Sequence, residues 1–267
     1  MTKNSLNTDN LHSDRADKPE HGVLHKPVHT SVAYGYDKAK HLAEVFQGKR
    51  QGYNYGRQLN PTVTALQKRI TKMEAGLSSV GFSTGMAAIS STMLALLKTG
   101  DHVISSSFLF GNTNSFFETL KRLGIEVSFV DATQAKFVEE AVRENTKIVF
   151  TETIANPVTQ VADLVGIGQV CKDKNLVYIV DNTMTSPFSF KPKNVGASLI
   201  INSLTKYIGG HGNALGGMVT DTGIHNWETF DNIIKTYRSE KPELWGITQI
   251  KKKGLRDMGS SLGPEAA

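Results

Sequence analysis

The sequence predicts an α/β protein in which helices cover both faces of a mostly parallel, seven-stranded sheet, preceded by an extended N-terminal arm. Short apolar runs alternate with segments of helical length from residue 79 to residue 220. Glycines separate many of these segments, for example Gly76, Gly100 and Gly124. Strands separated by helices of this length imply right-handed crossovers, and such crossovers produce a mostly parallel sheet.

The predicted elements follow one another in order. Asn60 caps the first helix, Pro61 stands in its first turn, and apolar residues recur three and four apart before Gly76 ends it. Strands are predicted at residues 79–82, 103–108, 125–130, 147–151, 176–180, 197–202 and 215–220. The intervening helices are predicted at residues 86–98, around 116–123, 135–144 and 164–174. Residues 224–267 are predicted to begin as helix and to end in a Gly-, Lys- and Ser-rich segment.

Composition divides the chain into three regions. Residues 1–60 form the predicted arm and interface segment; the first 25 are polar and expected to be disordered or to order only against a partner. Residues 45–58 are rich in Gly, Tyr and Gln and are predicted to be too irregular for a helix. Residues 61–255 form the predicted large domain, and residues 256–267 the beginning of a further domain.

The composition also excludes several function classes. A hydrophobic content of 39% indicates a globular protein, and no apolar run approaches the roughly 20 residues of a membrane span. The net charge is +5, but the densest basic run, at 251–253, has no interleaved aromatic residues, so no nucleic-acid partner is expected. Cys171 is the only cysteine and residues 1–15 lack an apolar signal segment, which favours a cytoplasmic protein. The histidines show no metal-ligand spacing, so no metal site is predicted.

Lys206 points most directly to a particular chemistry. It follows the predicted strand at 197–202, and Asp181 follows the predicted strand at 176–180. In a parallel sheet these carboxyl ends meet at the edge where ligands bind. A lysine there can form a Schiff base with the aldehyde of pyridoxal 5′-phosphate (PLP), and an aspartate can hold the pyridine nitrogen protonated, so that the ring acts as an electron sink. The sequence therefore predicts a PLP site.

Five sequence blocks match one enzyme family in the same order. They are Tyr53-Asn54-Tyr55-Gly56-Arg57 with Asn60-Pro61-Thr62, Ser83-Thr84-Gly85-Met86-Ala87, Glu152-Thr153-Ile154-Ala155-Asn156-Pro157, Asp181-Asn182-Thr183, and Ser203-Leu204-Thr205-Lys206-Tyr207. From about Pro27 onward the chain resembles the Cys/Met-metabolism group of fold-type I PLP enzymes. This group includes cystathionine γ-synthase, cystathionine lyases, O-acetylhomoserine sulfhydrylase and methionine γ-lyase.

The resemblance implies a role for each matching residue. Lys206 would carry the cofactor and move protons, and Asp181, supported by Thr183, would pair with the pyridine nitrogen. Asn156 would contact the phenolic oxygen of the cofactor, whereas Glu152 in the same block is interpreted as structural. The cofactor phosphate would be bound by the turn that begins at Ser83, where the backbone N–H groups of Gly85 and Met86 form a helix N-terminus. The hydroxyls of Ser203 and Thr205 would also bind it.

The resemblance further implies that the active site is shared between subunits. Tyr55 and Arg57 would reach across a dimer interface to the phosphate of the neighbouring subunit, where an arginine can bind two phosphate oxygens at once. The expected assembly is therefore a homodimer or a dimer of dimers.

Phe110, Asn112 and the length of the chain depart from the family pattern. Phe110 stands where the family commonly has a tyrosine; its ring can stack on the cofactor, but it has no phenol to act as an acid or base. Asn112 stands where methionine γ-lyases typically carry cysteine, which disfavours that member. The family's C-terminal domain supplies an arginine that grips the substrate carboxylate, and residues 256–267 are interpreted as the start of a truncated form of that domain.

The activity implied by the resemblance is γ-replacement or γ-elimination on a sulfur amino acid or an activated homoserine. The expected substrate is therefore a small amino acid. Two alternatives stay open from the sequence. One is a fold-type I aminotransferase or decarboxylase. The other is a non-catalytic remnant that binds PLP, or joins a full-length partner, without turnover; the missing carboxylate arginine favours it.

Overall fold

The computed structural model describes residues 5–12, 20–24 and 26–258. The described α-helices are α1 (Leu6–His12), α2 (Ala39–Phe46), α3 (Pro61–Met73), α4 (Gly85–Leu96), α5 (Gly111–Arg122), α6 (Ala135–Glu140), α7 (Leu164–Asp173), α8 (Ser186–Ser189) and α9 (Trp245–Lys251). The strands are β1 (Ser78–Phe82), β2 (His102–Ser106), β3 (Glu126–Val130), β4 (Thr146–Glu152), β5 (Val177–Asp181), β6 (Leu199–Ser203) and β7 (Gly217–Asp221). Short 3₁₀ turns are present at Glu20–Gly22, Pro192–Val195, Trp227–Thr229, Lys235–Tyr237 and Pro242–Leu244, and a π-helix at Lys252–Asp257.

The seven strands form one sheet in the order β1-β7-β6-β5-β4-β2-β3. The pairs from β3 through β6 are parallel, whereas β7 runs antiparallel to both β6 and β1. This arrangement confirms the predicted mostly parallel, seven-stranded sheet. Each predicted strand is present, with its ends displaced by no more than two residues.

The central strands are buried on both faces because successive residues contribute to two different cores. Ile148 and Phe150 of β4 pack into one core with α4, α5 and α9. Val149, between them, packs into the other core with α6 and α7. Cys171 of α7 lies buried in this second core. An apolar run without polar alternation is the pattern expected for such strands.

The helix predicted after Asn60 is also confirmed. The Asn60 side chain accepts the N–H of Thr62 at 2.8 Å and caps α3, which begins at Pro61. Only Ile70 and Gln67 of α3 are buried, and Val63 and Leu66 of the predicted apolar stripe remain exposed.

Three predictions near the ends of the chain need correction. Within residues 1–25, the structure describes residues 5–12, with α1 in contact with α3, and residues 20–24, with a 3₁₀ turn; residues 1–4, 13–19 and 25 lie outside the described residues. The segment 45–58 overlaps α2, a helix that was not predicted although Leu42, Val45 and Phe46 have helical spacing. Residues 224–244 form 3₁₀ turns rather than a continuous helix, because side chains take the place of helical hydrogen-bond partners. For example, Gln249 accepts the backbone N–H of Ile234 at 2.7 Å.

Two other sequence expectations concern residues 256–267 and the end of helix α6. The expected further domain at 256–267 falls outside them beyond Met258. Helix α6 ends at Glu140 rather than near Glu144, because the Thr146 hydroxyl accepts the N–H of Arg143 at 2.7 Å and turns the chain into β4. Among the residues with a described placement, none of the helices is long and apolar enough to cross a membrane.

Candidate active site

A cavity of about 550 Å³ lies where β4, β5 and β6 end and where α4 and α5 begin. Nine residues of the predicted site line it: Gly85, Met86, Phe110, Asn156, Asp181, Thr183, Ser203, Thr205 and Lys206. These residues come from five separate parts of the sequence, and the sheet topology brings them to one edge. The position agrees with the general rule that ligands of parallel sheets bind at the carboxyl ends of the strands.

One side of the cavity is built by the close approach of α4 to β6 and β7. A Cβ atom added to Gly85 would lie 2.7 Å from Cβ of Ser203, and one added to Gly217 would lie 2.0 Å from the Thr84 carbonyl oxygen. Neither position therefore accommodates a larger residue without movement of its surroundings. Thr84 caps α4 by accepting the N–H of Ala87 at 3.0 Å.

The start of α4 has the properties of an anion site. Gly85 and Met86 are the first two residues of the helix, whose N–H groups have no partner within the helix. The helix dipole places partial positive charge at the same point. The hydroxyl of Ser203 lies against Gly85, so N–H and O–H donors converge on one small region of the cavity.

Asp181 is held in a fixed orientation by Thr183. The Thr183 hydroxyl donates to Oδ1 of Asp181 at 2.5 Å, and its N–H donates to the same oxygen at 2.9 Å. The Thr183 hydroxyl also accepts the N–H of Ser203 at 2.8 Å, which links the ends of β5 and β6. Burial raises the pKa of the Asp181 carboxyl above its ordinary value, and the two bonds from Thr183 act in the opposite direction.

Lys206 lies in a turn that follows β6 directly. Its N–H donates to the carbonyl of Ser203 at 3.2 Å, and its carbonyl accepts the N–H of Gly210 at 2.8 Å. The adjacent Thr205 hydroxyl accepts the N–H of Gly216 at 3.1 Å and so ties this turn to the chain entering β7. The Lys206 side chain is exposed and lines the cavity, a position that leaves its amine accessible to a bound molecule.

Glu152 is a cavity residue that was not among the predicted site residues. It ends β4, stands opposite Asp181 in the register of β4 and β5, and is 7% exposed. Burial and the neighbouring Asp181 raise the pKa of Glu152 to about 7. Its place at the end of an apolar run, like that of Asp181, was the available sequence signal.

A buried polar network lies beneath the cavity and was also missed. Glu74, which follows α3, accepts the side-chain N–H groups of Asn182 at 3.0 Å and of Asn202 at 2.7 Å. These two asparagines are the neighbours of Asp181 and Ser203, so Glu74 fixes the ends of β5 and β6 from below. Burial raises the pKa of the Glu74 carboxyl, and the two amide bonds oppose this effect.

Three predicted site residues do not line the cavity in a single chain. Ser83 is half-buried in the turn between β1 and α4. Arg57 donates from Nη1 to the carbonyls of Leu255 at 2.8 Å and Arg256 at 3.4 Å. The ring of Tyr55 is 40% exposed, and its centroid lies 5.3 Å from the guanidinium carbon of Arg57.

The donor set of the cavity fits the cofactor predicted from the sequence. A helix N-terminus with an adjoining hydroxyl suits a phosphate, an oriented carboxyl suits a protonated ring nitrogen, and an accessible amine suits an aldehyde. A Cβ at Gly85 would fill the space between the helix and Ser203, so the small residue is required for this anion site. Among the described residues, no group of three or more possible metal ligands is present.

Comparison with known proteins agrees with this chemistry. Residues 7–267 match the family model described as Cys/Met metabolism PLP-dependent enzyme. The chain is 37% identical over 268 residues to an L-methionine gamma-lyase of Fusobacterium nucleatum, covering 99% of this chain and 62% of that protein. It is 36% identical over 222 residues to an O-acetyl-L-homoserine sulfhydrylase of Corynebacterium glutamicum, covering 82% of this chain and 51% of that protein.

Solved structures show the same relationship. One from Campylobacter jejuni, described as an O-acetylhomoserine (thiol)-lyase with N′-pyridoxyl-lysine-5′-monophosphate, superposes with a TM-score of 0.87 and 30% identity. The alignment covers 99% of this chain and 69% of that chain. The chain thus spans 62% of the length of the first curated relative that it matches.

Proposed function

The chain belongs to the Cys/Met metabolism PLP-dependent enzymes, and on this basis we propose that its cavity binds PLP through Lys206 for chemistry on a sulfur amino acid or an activated homoserine. PLP is the cofactor of this family. The observation that carries the proposal is the convergence of nine predicted site residues on one cavity at the carboxyl edge of the sheet.

Each part of the cavity has a distinct task in this proposal. The N–H groups of Gly85 and Met86, with the hydroxyls of Ser203 and Thr205, hold the phosphate. Ser83 belongs to the same phosphate-binding turn through its place before α4. Asp181, oriented by Thr183, holds a proton on the ring nitrogen; the resulting positive charge offsets the cost of burying the carboxylate.

The remaining residues act on the reacting atoms or the ring. When bound, PLP supplies an electron sink for negative charge at the substrate α-carbon. Lys206 Nζ would hold the cofactor through its aldehyde, and the freed amine would accept the proton from the substrate α-carbon. Phe110 offers its ring for stacking, and Asn156 offers its amide to the phenolic oxygen.

Among the possible reactions, we favour γ-replacement or γ-elimination. Relatives with both kinds of name match the chain, including O-acetyl-L-homoserine sulfhydrylase, cystathionine gamma-lyase and L-methionine gamma-lyase. In γ-replacement a thiol takes the place of the departing γ-substituent, whereas γ-elimination releases ammonia and a 2-oxo acid. Asn112 stands where methionine γ-lyases typically carry cysteine and so disfavours that activity. Two proteins named L-methionine gamma-lyase nevertheless match the chain.

The partner and compartment predictions remain part of this proposal. A homodimer or dimer of dimers would bring Tyr55 and Arg57 to the phosphate of the neighbouring subunit. Exposed apolar residues near them, Val32, Val63 and Leu66, support a partner surface on this side. A cytoplasmic location is proposed from the single unpaired cysteine, Cys171.

The experiment that tests the proposal is borohydride trapping of the cofactor. The purified 267-residue chain is mixed with PLP, its visible absorbance is recorded before and after reduction, and the labelled peptide is mapped. We expect a reducible chromophore on the peptide that contains Lys206 and its loss in Lys206→Ala. The exposed Lys235 provides the matched control, since Lys235→Ala should keep the chromophore. A chromophore that persists in Lys206→Ala would refute the assignment.

Product analysis then separates four functional alternatives. Thiol-dependent consumption of an O-acylated homoserine indicates γ-replacement, and release of ammonia with a 2-oxo acid indicates γ-elimination. Accumulation of pyridoxamine phosphate would instead indicate an aminotransferase. Binding of PLP without any turnover would identify the non-catalytic remnant.

A further inference from the structure

The roles proposed above leave Glu152 unexplained. Its carboxyl is buried beside Asp181, the residue opposite it on the adjacent strand. Burial and a neighbouring carboxyl both disfavour the ionised form, so this placement lowers the stability of the folded chain. Costly side chains of this kind concentrate at functional sites, which directs attention to what Glu152 contacts.

Both oxygens of Glu152 accept backbone N–H groups from residues of the cavity. Oε1 accepts the N–H of Phe110 at 2.7 Å, and Oε2 accepts the N–H of Asn156 at 3.3 Å. Phe110 precedes α5 in the connection after β2, whereas Asn156 belongs to the loop after β4. One side chain therefore joins two loops that approach the cavity from different strands.

We propose that Glu152 is a positioning residue, which holds the backbones of Phe110 and Asn156 so that the phenyl ring and the amide face the bound cofactor. The identity of the molecule that the two loops face rests on the proposed function. The two hydrogen bonds are present in the structure whatever that molecule is. An interaction of this kind is a support for binding residues, and its loss weakens binding without removing a contact to the ligand.

The surroundings of Glu152 give the proposal a pH signature. The titratable groups facing it are Asp181 on β5 and, across the cavity, Lys206 and Tyr207. The small pocket on its other side is lined by no further titratable residue among those described. Burial raises the pKa of Glu152 to about 7, so it ionises near neutral pH. The two N–H bonds favour the ionised form, but burial and Asp181 outweigh them, so the folded chain holds a proton that an opened, solvated carboxyl would release.

The test measures amide hydrogen exchange by NMR in the cofactor-free, full-length chain. Glu152→Gln keeps the size of the side chain but presents an NH₂ group to one of the two N–H donors. We expect at least one of the Phe110 and Asn156 amides to exchange about tenfold faster in this variant. In wild-type protein, protection of both amides should decrease as the pH rises from about 4.5 to about 7, because opening lets the Glu152 carboxyl release its proton, and Glu152→Gln should lack this dependence.

A second measurement and a matched control distinguish positioning from general damage. PLP affinity should fall about tenfold in Glu152→Gln, with altered circular dichroism of the bound cofactor. Glu152→Asp keeps the charge but shortens the reach, and it should also accelerate exchange. Thr151→Val, one residue earlier on β4, removes a buried hydroxyl bonded to Tyr178 at 3.2 Å and should leave both amides and the cofactor signal unchanged.

The outcomes separate this inference from the proposed function. Unchanged exchange of both amides in Glu152→Gln would overturn the positioning role, as would the same acceleration in Thr151→Val. Failure of the wild-type chain to bind PLP would overturn the proposed function, and the exchange data would then decide the role of Glu152 by themselves.

Discussion

The predicted site residues fall into two regions that differ in structure. One region is the carboxyl edge of the sheet, and the other is the segment that carries Tyr55 and Arg57. At the edge, nine such residues surround one cavity, and Asp181 is fixed by hydrogen bonds from its own chain. Arg57 instead donates from Nη1 to the main-chain carbonyls of Leu255 and Arg256. The sheet thus brings the side chains at its strand ends together within one chain. Tyr55 and Arg57, outside the sheet, would need a partner subunit to reach a phosphate.

The two regions also differ in what they cost the folded chain. The edge buries three carboxyl groups, those of Glu74, Glu152 and Asp181, each with a raised pKa because of burial. Arg57 is only half-buried and keeps partners that a phosphate could replace. The three buried carboxyl groups at the sheet edge therefore reduce the stability of the folded chain, and substitutions there and at Arg57 should differ in their effect on stability.

The largest expected effect comes from the glycine that lets α4 approach the sheet. In Gly217→Ala the new Cβ would stand 2.0 Å from the Thr84 carbonyl oxygen, so the backbone must move. We expect a loss of about 3 kcal/mol in the free energy of unfolding, measured in urea, together with loss of PLP binding. Gly35→Ala is the control, because open space surrounds Gly35. Equal stability of the two variants would contradict the close approach.

The next effect is a pH dependence of stability at Glu152. Its pKa is raised from 4.5 to about 7 in the folded chain, so between these values the folded state holds a proton that the unfolded state releases. Wild-type stability should therefore fall as the pH rises through this window, by about 3 kcal/mol relative to Glu152→Gln. Urea unfolding of both cofactor-free proteins at several pH values measures the difference. Parallel curves would show that Glu152 ionises normally.

Asp181→Asn should act on cofactor binding rather than on folding. The amide cannot hold the proton of the ring nitrogen, and we expect PLP affinity to fall about 100-fold. The unfolding free energy of the cofactor-free variant should stay the same or rise, since a buried carboxyl is removed. PLP titrations of wild type and Asp181→Asn at the same protein concentration measure the difference. An affinity like that of wild type would remove Asp181 from the site.

The smallest effect, and the one most informative about the comparison, is expected for Arg57→Ala. Loss of one phosphate contact should weaken PLP binding about tenfold while changing stability by less than about 1 kcal/mol. If Arg57 serves the neighbouring subunit, mixing Arg57→Ala with Lys206→Ala should restore one intact site in each mixed dimer. Borohydride-trapped cofactor at limiting PLP measures this restoration.

The control for that mixture uses two residues of the same edge. Asp181→Asn mixed with Lys206→Ala leaves each chain with one defective cavity, so no site should recover. Recovery in this control, or its absence in the Arg57 mixture, would show that the division between the two regions is wrong.

The sheet and most cavity residues were predictable because their signals are local. Each strand is an apolar run bounded by turn residues, and Asp181 and Ser203 end their strands directly. The blocks that match the family supplied the expected roles of these residues. The rule that ligands bind at the carboxyl ends of parallel strands placed the residues at one edge of the sheet. The antiparallel direction of β7 required the structure, because an apolar run does not state its direction.

The missed features depend on contacts between distant residues. Glu74 follows a surface helix, and nothing near it in the sequence indicates that Asn182 and Asn202 will surround it. Glu152 was visible as a strand end, but its bonds to Phe110 and Asn156 were not. Helix α2 buries only Val45, so its pattern was too weak to predict against a Gly- and Tyr-rich background.

The pairing of β1 with β7 has a consequence for the order of folding. Ser78 stands opposite Asp221 and Phe82 opposite Gly217, so β1, which leads into the proposed phosphate-binding turn, can pair only after the much later strand β7 has been synthesised. Closing so long a loop is slow, whereas the parallel strand pairs from β2 to β6 include neither β1 nor β7. On a ribosome, the anion site would therefore be completed only after β7 has emerged. Capture of PLP by a nascent chain would then report that the whole sheet has closed.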